Sequence, residues 1–274
     1  MSRIVLAAVM IFFSAGALRA DDFKTCATGT PDYAILACTN LIEGGKLDPR
    51  EQAIAYTNRG IAFRNRGGLR RALADLNRAV EIAPDQAPIY ANRSIVHMLQ
   101  AEPDLALADL NRALELNPDN AAFLLNRGAV YVSLKDKDHA LADYGRAIEL
   151  DPANAAGYYS RGSLYLIDGD KGDIDRALSD YDRAIELQPR YAKALVGRAQ
   201  ANLKKGDAAK GLADIDRALS LDPDSAYVHH VKAAILAALG RRDEAVAEYK
   251  KALALAPDLQ ESAEGLKALQ RSKP

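Results

Sequence analysis

The chain has 274 residues, with 36 basic and 37 acidic side chains and no tryptophan. That balance gives no support to nucleic-acid binding, which usually shows as a basic excess on one face. It is 49% hydrophobic but only 6% aromatic, which suits closely packed helices with small side chains better than a β-sandwich.

Residues 1–20, MSRIVLAAVMIFFSAGALRA, have a basic start at Arg3, an apolar run from Ile4 to Leu18 and small residues at the end. This is the layout of a secretory signal peptide, and the run is shorter than the ~20 residues that span a bilayer. Cleavage is expected after Ala17 or Ala20, leaving an exported chain, periplasmic or secreted, with no membrane span. Without Arg3 and Arg19 it would carry 34 basic and 37 acidic side chains, net −3. The two cysteines, Cys26 and Cys38, follow at once. In an exported protein an even count at this spacing reads as one disulfide, and Cys-x11-Cys without a nearby histidine is a poor metal site. Residues 21–52 are therefore read as an N-terminal capping segment. It contains one amphipathic helix over 31–45, which Pro49 is expected to end.

From residue 53 a phrase recurs: LNRAVEIAP (76–84), LNRALELNP (110–118), YGRAIELDP (144–152), YDRAIELQP (181–189), IDRALSLDP (215–223) and YKKALALAP (249–257). The closing prolines, Pro84, Pro118, Pro152, Pro189, Pro223 and Pro257, stand 34, 34, 37, 34 and 34 residues apart. A fixed period of this size means stacked units. Each unit holds two stretches with helical apolar spacing, such as 87–99 and 104–116, joined by turn residues such as Glu102-Pro103 or Gly240-Arg241. Each proline stops the second helix, and Asp119 or Asp224 beyond it is placed to start the next.

These residues resemble the tetratricopeptide repeat (TPR), a 34-residue helix-turn-helix with preferred residues at positions 4, 7, 8, 11, 20, 24, 27 and 32. The unit from 53 has Tyr56, Arg59, Gly60, Phe63, Ala72, Leu76, Ala79 and Pro84 there; the unit from 121 has Leu124, Arg127, Gly128, Tyr131, Ala140, Tyr144, Ala147 and Pro152. The resemblance covers 53–257 as six units: 53–86, 87–120, 121–154, 155–191, 192–225 and 226–257. It implies an all-α, right-handed superhelical solenoid with capping helices at both ends, the last over 258–274. Small residues at positions 8, 20 and 27 let helix backbones approach, and large ones at 4, 11 and 24 fill the space between.

Position 7 departs from the family's leucine: it is Arg59, Arg93, Arg127, Arg161, Arg198 and Lys232. A charge at an internal position must be matched. The match expected is position 23, namely Asp75, Asp109, Asp143, Asp180, Asp214 and Glu248; the alternative is that some arginines reach the groove and hold an acidic ligand. Gly211 and Asn202 make the unit from 192 the one expected to be loosest.

By resemblance, positions 2, 5, 6, 9, 12 and 13 of the first helices line the concave side. Position 6 gives Asn58, Asn92 and Asn126, then Ser160, Gly197 and Val231. An amide offers a donor and an acceptor and so matches the backbone of an extended peptide; the alternative is hydrogen bonding within the helix pair. Apolar anchor sites follow at Ile95, Met98, Val132, Tyr159 and Leu166, and the same face continues through Leu99, Ile167, Val196, Leu203 and Tyr227. The clamp that some TPR domains use for C-terminal carboxylates is not reproduced, because Thr57, Ile61 and Ala122 occupy its positions. The unit from 155 is three residues longer, at LIDGDKGDIDR (166–176). Asp168, Asp170 and Asp173 hint at calcium, but the EF-hand order fails, so an ordinary longer turn and no metal are expected. His97 and His229 sit at core positions.

No nucleophile–base pair, phosphate loop or metal cluster is legible, so no enzyme activity and no cofactor are expected. The expected function is a protein–protein interaction adaptor of the cell envelope, holding a peptide segment of a protein partner in the concave groove. The alternatives are a self-associating structural solenoid and an accessory subunit of an envelope enzyme complex. No nucleic-acid partner is expected.

Overall fold

The computed structural model describes residues 15–167, 169 and 171–271, with side chains from Asp21 onward. Among these residues every regular element is a helix. The chain divides into two compact units, one ending at Asp119 and one starting at Asn120.

The first unit holds α1 (Ala15–Thr28), α2 (Pro31–Glu43), α3 (Pro49–Asn65), α4 (Leu69–Ile82), α5 (Ala87–Leu99) and α6 (Pro103–Leu116). The second holds α7 (Ala121–Ser133), α8 (Lys137–Leu150), α9 (Ala155–Ile167), α10 (Lys171–Leu187), α11 (Ala192–Lys205), α12 (Ala208–Leu221), α13 (Ala226–Ala238), α14 (Arg242–Leu255) and α15 (Gln260–Arg271). From α3 onward the helices pair in order: α3 with α4 and α5 with α6 in the first unit, then α7 with α8, α9 with α10, α11 with α12 and α13 with α14 in the second. Leading helices also touch one another, α3 on α5 in the first unit and α7, α9, α11, α13 and α15 in succession in the second.

Two backbone devices recur at the period of the sequence. The residue before each closing proline is pushed from the α region toward extended geometry. Ala83 has φ −137° and ψ 72°, and Asp222 has φ −144° and ψ 86°. In the five pairs other than α9–α10, the turn takes one left-handed residue, at Gly67 (φ 75°), Ala101 (59°), Lys135 (62°), Gly206 (93°) and Gly240 (74°).

The core matches the expected division of small and large residues. Ala72 and Ala79, Ala106 and Ala113, Ala140 and Ala147 are at most 2% exposed. Beside them, Leu76, Leu110, Tyr144, Tyr181, Ile215 and Tyr249 are buried. Complete burial of a side chain such as Leu76 contributes about 1.5–3 kcal/mol. Close approach is explicit at Gly128, where a Cβ would stand 2.5 Å from the Tyr144 ring. Gly211 answers to the same cause. A Cβ there would lie 2.9 Å from the Ala199 carbonyl oxygen, and Asn202 is buried, so its glycine marks tight packing and not the looseness expected.

Several boundaries differ from the sequence reading. Residues 1–14 of the predicted signal segment lie outside the described residues, and α1 runs through both predicted cleavage positions, Ala17 and Ala20. Pro49 does not end α2, which stops at Glu43. It opens α3, four residues ahead of the predicted 53, because Asp48 and Glu51 form a reciprocal capping box with Pro49 in the first turn. Asp119 and Asp224 are not the N-caps: that place falls to Asn120, whose side chain accepts from the Phe123 N–H, and to Ser225. The three-residue insertion lengthens α10 to 17 residues against 14 in α8 and α12, so the extra length goes into helix and not into a longer turn.

The cysteines form the expected bond, Cys26–Cys38, tying α1 to α2. Cys38 is fully buried in a cluster with Ala37, Leu41 and Ala55. No described helix is long and apolar enough to cross a membrane.

Candidate functional site

The arginine ladder is a structural device. Each position-7 arginine grips its aspartate through Nε and Nη2: Arg59–Asp75 at 2.8 and 2.9 Å, Arg93–Asp109 at 2.9 and 2.6 Å, Arg127–Asp143 at 2.8 and 2.8 Å, Arg161–Asp180 at 2.9 and 2.8 Å, and Arg198–Asp214 at 2.7 and 2.7 Å. This bidentate fork needs the planar guanidinium. Several arginines use Nη1 to reach the preceding helix pair as well: Arg93 to Asn77 at 2.9 Å and Arg198 to Asp182 at 2.7 Å. Burial opposes these charges, but the carboxylates outweigh it and raise the arginine pKa values. The guanidinium groups so held are engaged within the helix pairs and, for Arg93 and Arg198, with the preceding pair as well.

The last pair breaks the pattern. Lys232 reaches Asp216 of the preceding pair at 2.7 Å, not Glu248. A lysine has no fork to share between two carboxylates, and Glu248 is occupied by His229 Nδ1 and by Lys251. Burial works against the Glu248 carboxylate, but these partners hold its pKa below the usual range. His229 is therefore more than packing: its Nε2 faces the Pro223 carbonyl at 3.0 Å, where Tyr90 donates its hydroxyl to the Pro84 carbonyl. His97 likewise faces Glu102 at 2.8 Å and Asp109 at 3.7 Å.

Two grooves open on the leading helices, one in each unit. In the first unit a groove of about 260 Å³ lies between α3 and α5, lined by Arg50, Ile54, Asn58, Ile61, Ile89 and Asn92 among others. It brings Asn58 and Asn92 together. Asn92 donates to the Pro88 carbonyl of its own helix at 2.8 Å, so one of its amide hydrogens is used locally. In the second unit a groove of about 700 Å³ runs across α9, α11 and α13. It brings together Tyr159 and Leu166 with Ile167, Val196, Gly197 and Tyr227. Tyr159 packs on Tyr181 and Tyr191, with ring centroids 6.2 and 5.2 Å away. The buried Tyr181 hydroxyl donates to Ser163 at 3.2 Å, and burial pushes its pKa up to about 12.

The other predicted groove residues fall elsewhere. Ile95 and Met98 are half-buried on α5 and line neither groove. Asn126 and Ser160 are half-buried in the second unit outside its groove, and Val132 packs against the Ala140–Tyr144–Leu164 cluster. Leu203 is half-buried against the core cluster that includes Leu195 and Ala199. Sequence reasoning missed Lys193, Gln200 and Lys204. Their signal was the spacing of one α11 face, Lys193-Val196-Gly197-Gln200-Lys204, which repeats at helical intervals.

A further polar hollow between α10 and α12 is lined by Asp175, Asp182, Arg198, Lys205 and Asp214. These charges neutralise one another: Lys205 meets Asp175 at 2.7 Å, and Arg198 meets both Asp182 and Asp214. Among the described residues no group of histidine, cysteine and carboxylate side chains could hold a metal ion. Asp173 pairs with Lys137 at 3.2 Å and Arg176 at 3.1 Å, and Asp168 and Asp170 lie outside the described residues.

Tetratricopeptide repeat models match residues 121–154, 168–226 and 226–259, and a TPR repeat model matches 104–135. With the pairing of helices above, the chain belongs to the tetratricopeptide repeat family, an all-helical solenoid class. A TPR protein from Parabacteroides merdae ATCC 43184 is similar at 22% identity over 93% of this chain and 98% of that one, with a TM-score of 0.70. Pseudomonas aeruginosa pilF is similar at 21% identity over 82% and 100%, TM-score 0.70. YrrB, described as a TPR protein with an unusual peptide-binding site, is similar at 27% identity over 72% and 97%, TM-score 0.51. No curated protein matches the sequence. TPR proteins are in general non-catalytic modules that bind other proteins, and the fold makes this chain a protein–protein interaction adaptor.

Proposed function

We propose that this adaptor is exported through residues 1–20, works in the cell envelope, and holds an extended peptide segment of a partner protein on the faces of its leading helices. One observation carries the reading. Among the described residues, four of the eight large apolar side chains left in water lie on the leading helices, Ile54 (47% exposed) and Tyr227 (50%) at repeat position 2, Leu99 (57%) and Ile167 (55%) at position 13, and Ile54, Ile167 and Tyr227 of these line the two grooves. Exposed apolar surface arranged along a groove marks a binding site. In the first unit the amides of Asn58 and Asn92 are suited to the peptide groups of such a segment, and in the second the pockets beside Tyr159 and Leu166 are suited to its side chains. The peptide-binding site named for YrrB is consistent with this use of the scaffold.

Affinity capture from an envelope extract, with wild type beside Ile54→Asp/Tyr227→Asp, tests the reading. Loss of the captured protein from the variant is the expected result; an unchanged captured set refutes it. Sedimentation velocity over a hundredfold concentration range addresses the alternative of a self-associating solenoid. The account expects a monomer throughout, and a concentration-dependent assembly would favour that alternative.

A further inference from the structure

The groove of the second unit is chemically lopsided. Along the inner face of α11 stand Lys193, Val196, Gly197, Gln200 and Lys204. The two lysines are eleven residues apart, about 16 Å along the helix, which is the reach of about five extended residues. Lys193 is exposed. Lys204 is steered to the far end by its bonds to the Leu166 and Ile167 carbonyls, at 2.7 and 3.4 Å. Among the described residues Asp222 is the one acidic side chain on the lining, so that described lining carries a positive excess.

Between the two cations the groove is apolar. Gly197 brings it down to the Tyr181 ring, which lies 2.5 Å from where a Cβ would stand. Tyr159 and Tyr227 form the sides. Gln200 donates to the Tyr227 hydroxyl at 2.7 Å, which leaves the Gln200 carbonyl as an acceptor and the Tyr227 O–H as a donor for a peptide group.

Building on the peptide-binding reading above, we propose that this groove selects an acidic segment of its partner. An aromatic or large apolar side chain seats over Gly197 between Tyr159 and Tyr227, and Asp or Glu residues about two places to either side meet Lys193 and Lys204. The aromatic anchor supplies contact area and ring packing. The cations set which segments are accepted and how fast they arrive.

The test is selection of a random twelve-residue phage-displayed peptide library on the full chain, followed by fluorescence anisotropy of the enriched peptides. The expected peptides carry an aromatic or large apolar residue flanked by Asp or Glu. Tyr227→Ala weakens them at least about tenfold. Lys193→Glu, at an exposed position, weakens them about fivefold or more, and changing the facing acidic residue of the peptide to Lys restores the loss. Enriched peptides without acidic residues overturn the inference. So do peptides indifferent to Tyr227→Ala and Lys193→Glu but abolished by Ile54→Asp in the other groove; both results leave peptide binding itself standing. Failure to enrich any peptide overturns the inference and the peptide-binding reading together.

Discussion

Removing one partner of the Arg198–Asp214 pair should cost far more than removing both. The Asp214 side chain is 6% exposed and that of Arg198 23%. Arg198→Leu strands a buried carboxylate that had two charge-assisted bonds. Breaking a buried pair costs about 3–5 kcal/mol, and the partial exposure of Arg198, with Arg217 waiting 3.8 Å from Asp214, puts this case near the lower end, about 2–3 kcal/mol. Asp214→Leu leaves Arg198 with Asp182, so about 2 kcal/mol is expected. The double variant, which returns position 7 to an apolar residue over an apolar partner, should lie within about 1 kcal/mol of wild type. The coupling is then about 3–5 kcal/mol, read from a double-mutant cycle by urea unfolding. Amide hydrogen exchange in α11 and α12 should accompany it, because repeat arrays open unit by unit. Additive single effects, or a single variant costing under about 0.5 kcal/mol, would show that the ladder does not hold the helix pairs.

Ala101 and Lys135 occupy the left-handed turn position that glycine takes at 67, 206 and 240; Ala101→Gly and Lys135→Gly should each raise stability by about 0.5–1 kcal/mol in the same unfolding assay. Gly128→Val should cost about 2–3 kcal/mol, since its side chain would overlap the Tyr144 ring. Reducing Cys26–Cys38, which closes a 13-residue loop, should cost about 3 kcal/mol, seen as earlier hydrogen exchange in α1 and α2. Burial lowers the pKa of His230, whose ring faces Ser262 of α15, and Glu248 is also held low. Both groups bind fewer protons folded than unfolded. Stability should therefore fall with acidification, first as His230 is forced to charge below the ordinary histidine range, then as Glu248 is protonated below the ordinary carboxylate range. Thermal melts from pH 7.5 to 4 should show the first step disappear in His230→Gln.

The helix pairs were legible because their causes are local and periodic. A proline every 34 residues, alanine at positions 20 and 27, and a large residue at 24 each act within one or two helices. The Arg–Asp ladder was legible too, since an internal charge demands a partner. Where that logic failed, at Lys232, the reason was geometric: the charge is a point and not a fork, and His229 already held Glu248. Pro49 was misread because proline serves a helix's first turn as well as it stops one, and the deciding Asp48/Glu51 box lay just outside the repeat. The groove was only partly legible. Position 2 and 13 residues such as Tyr227 and Ile167 did prove exposed, but Val132 and Leu203 share their apolar character and pack against the core clusters. Lys193, Gln200 and Lys204 were passed over because a charged residue on a repeat helix is usually just a solvated face.

The central claim is that partners are held on the leading helices. Photo-cross-linking tests it most directly, with benzoylphenylalanine placed either at Tyr227, 50% exposed on α13, or at Leu255, 44% exposed at the end of α14. Both are exposed apolar positions of the same helix pair, so accessibility alone does not separate them. The account predicts a discrete partner adduct from position 227, suppressed by an excess of selected peptide, and none from 255. Equal adducts from both, or an adduct from 255 alone, would contradict it.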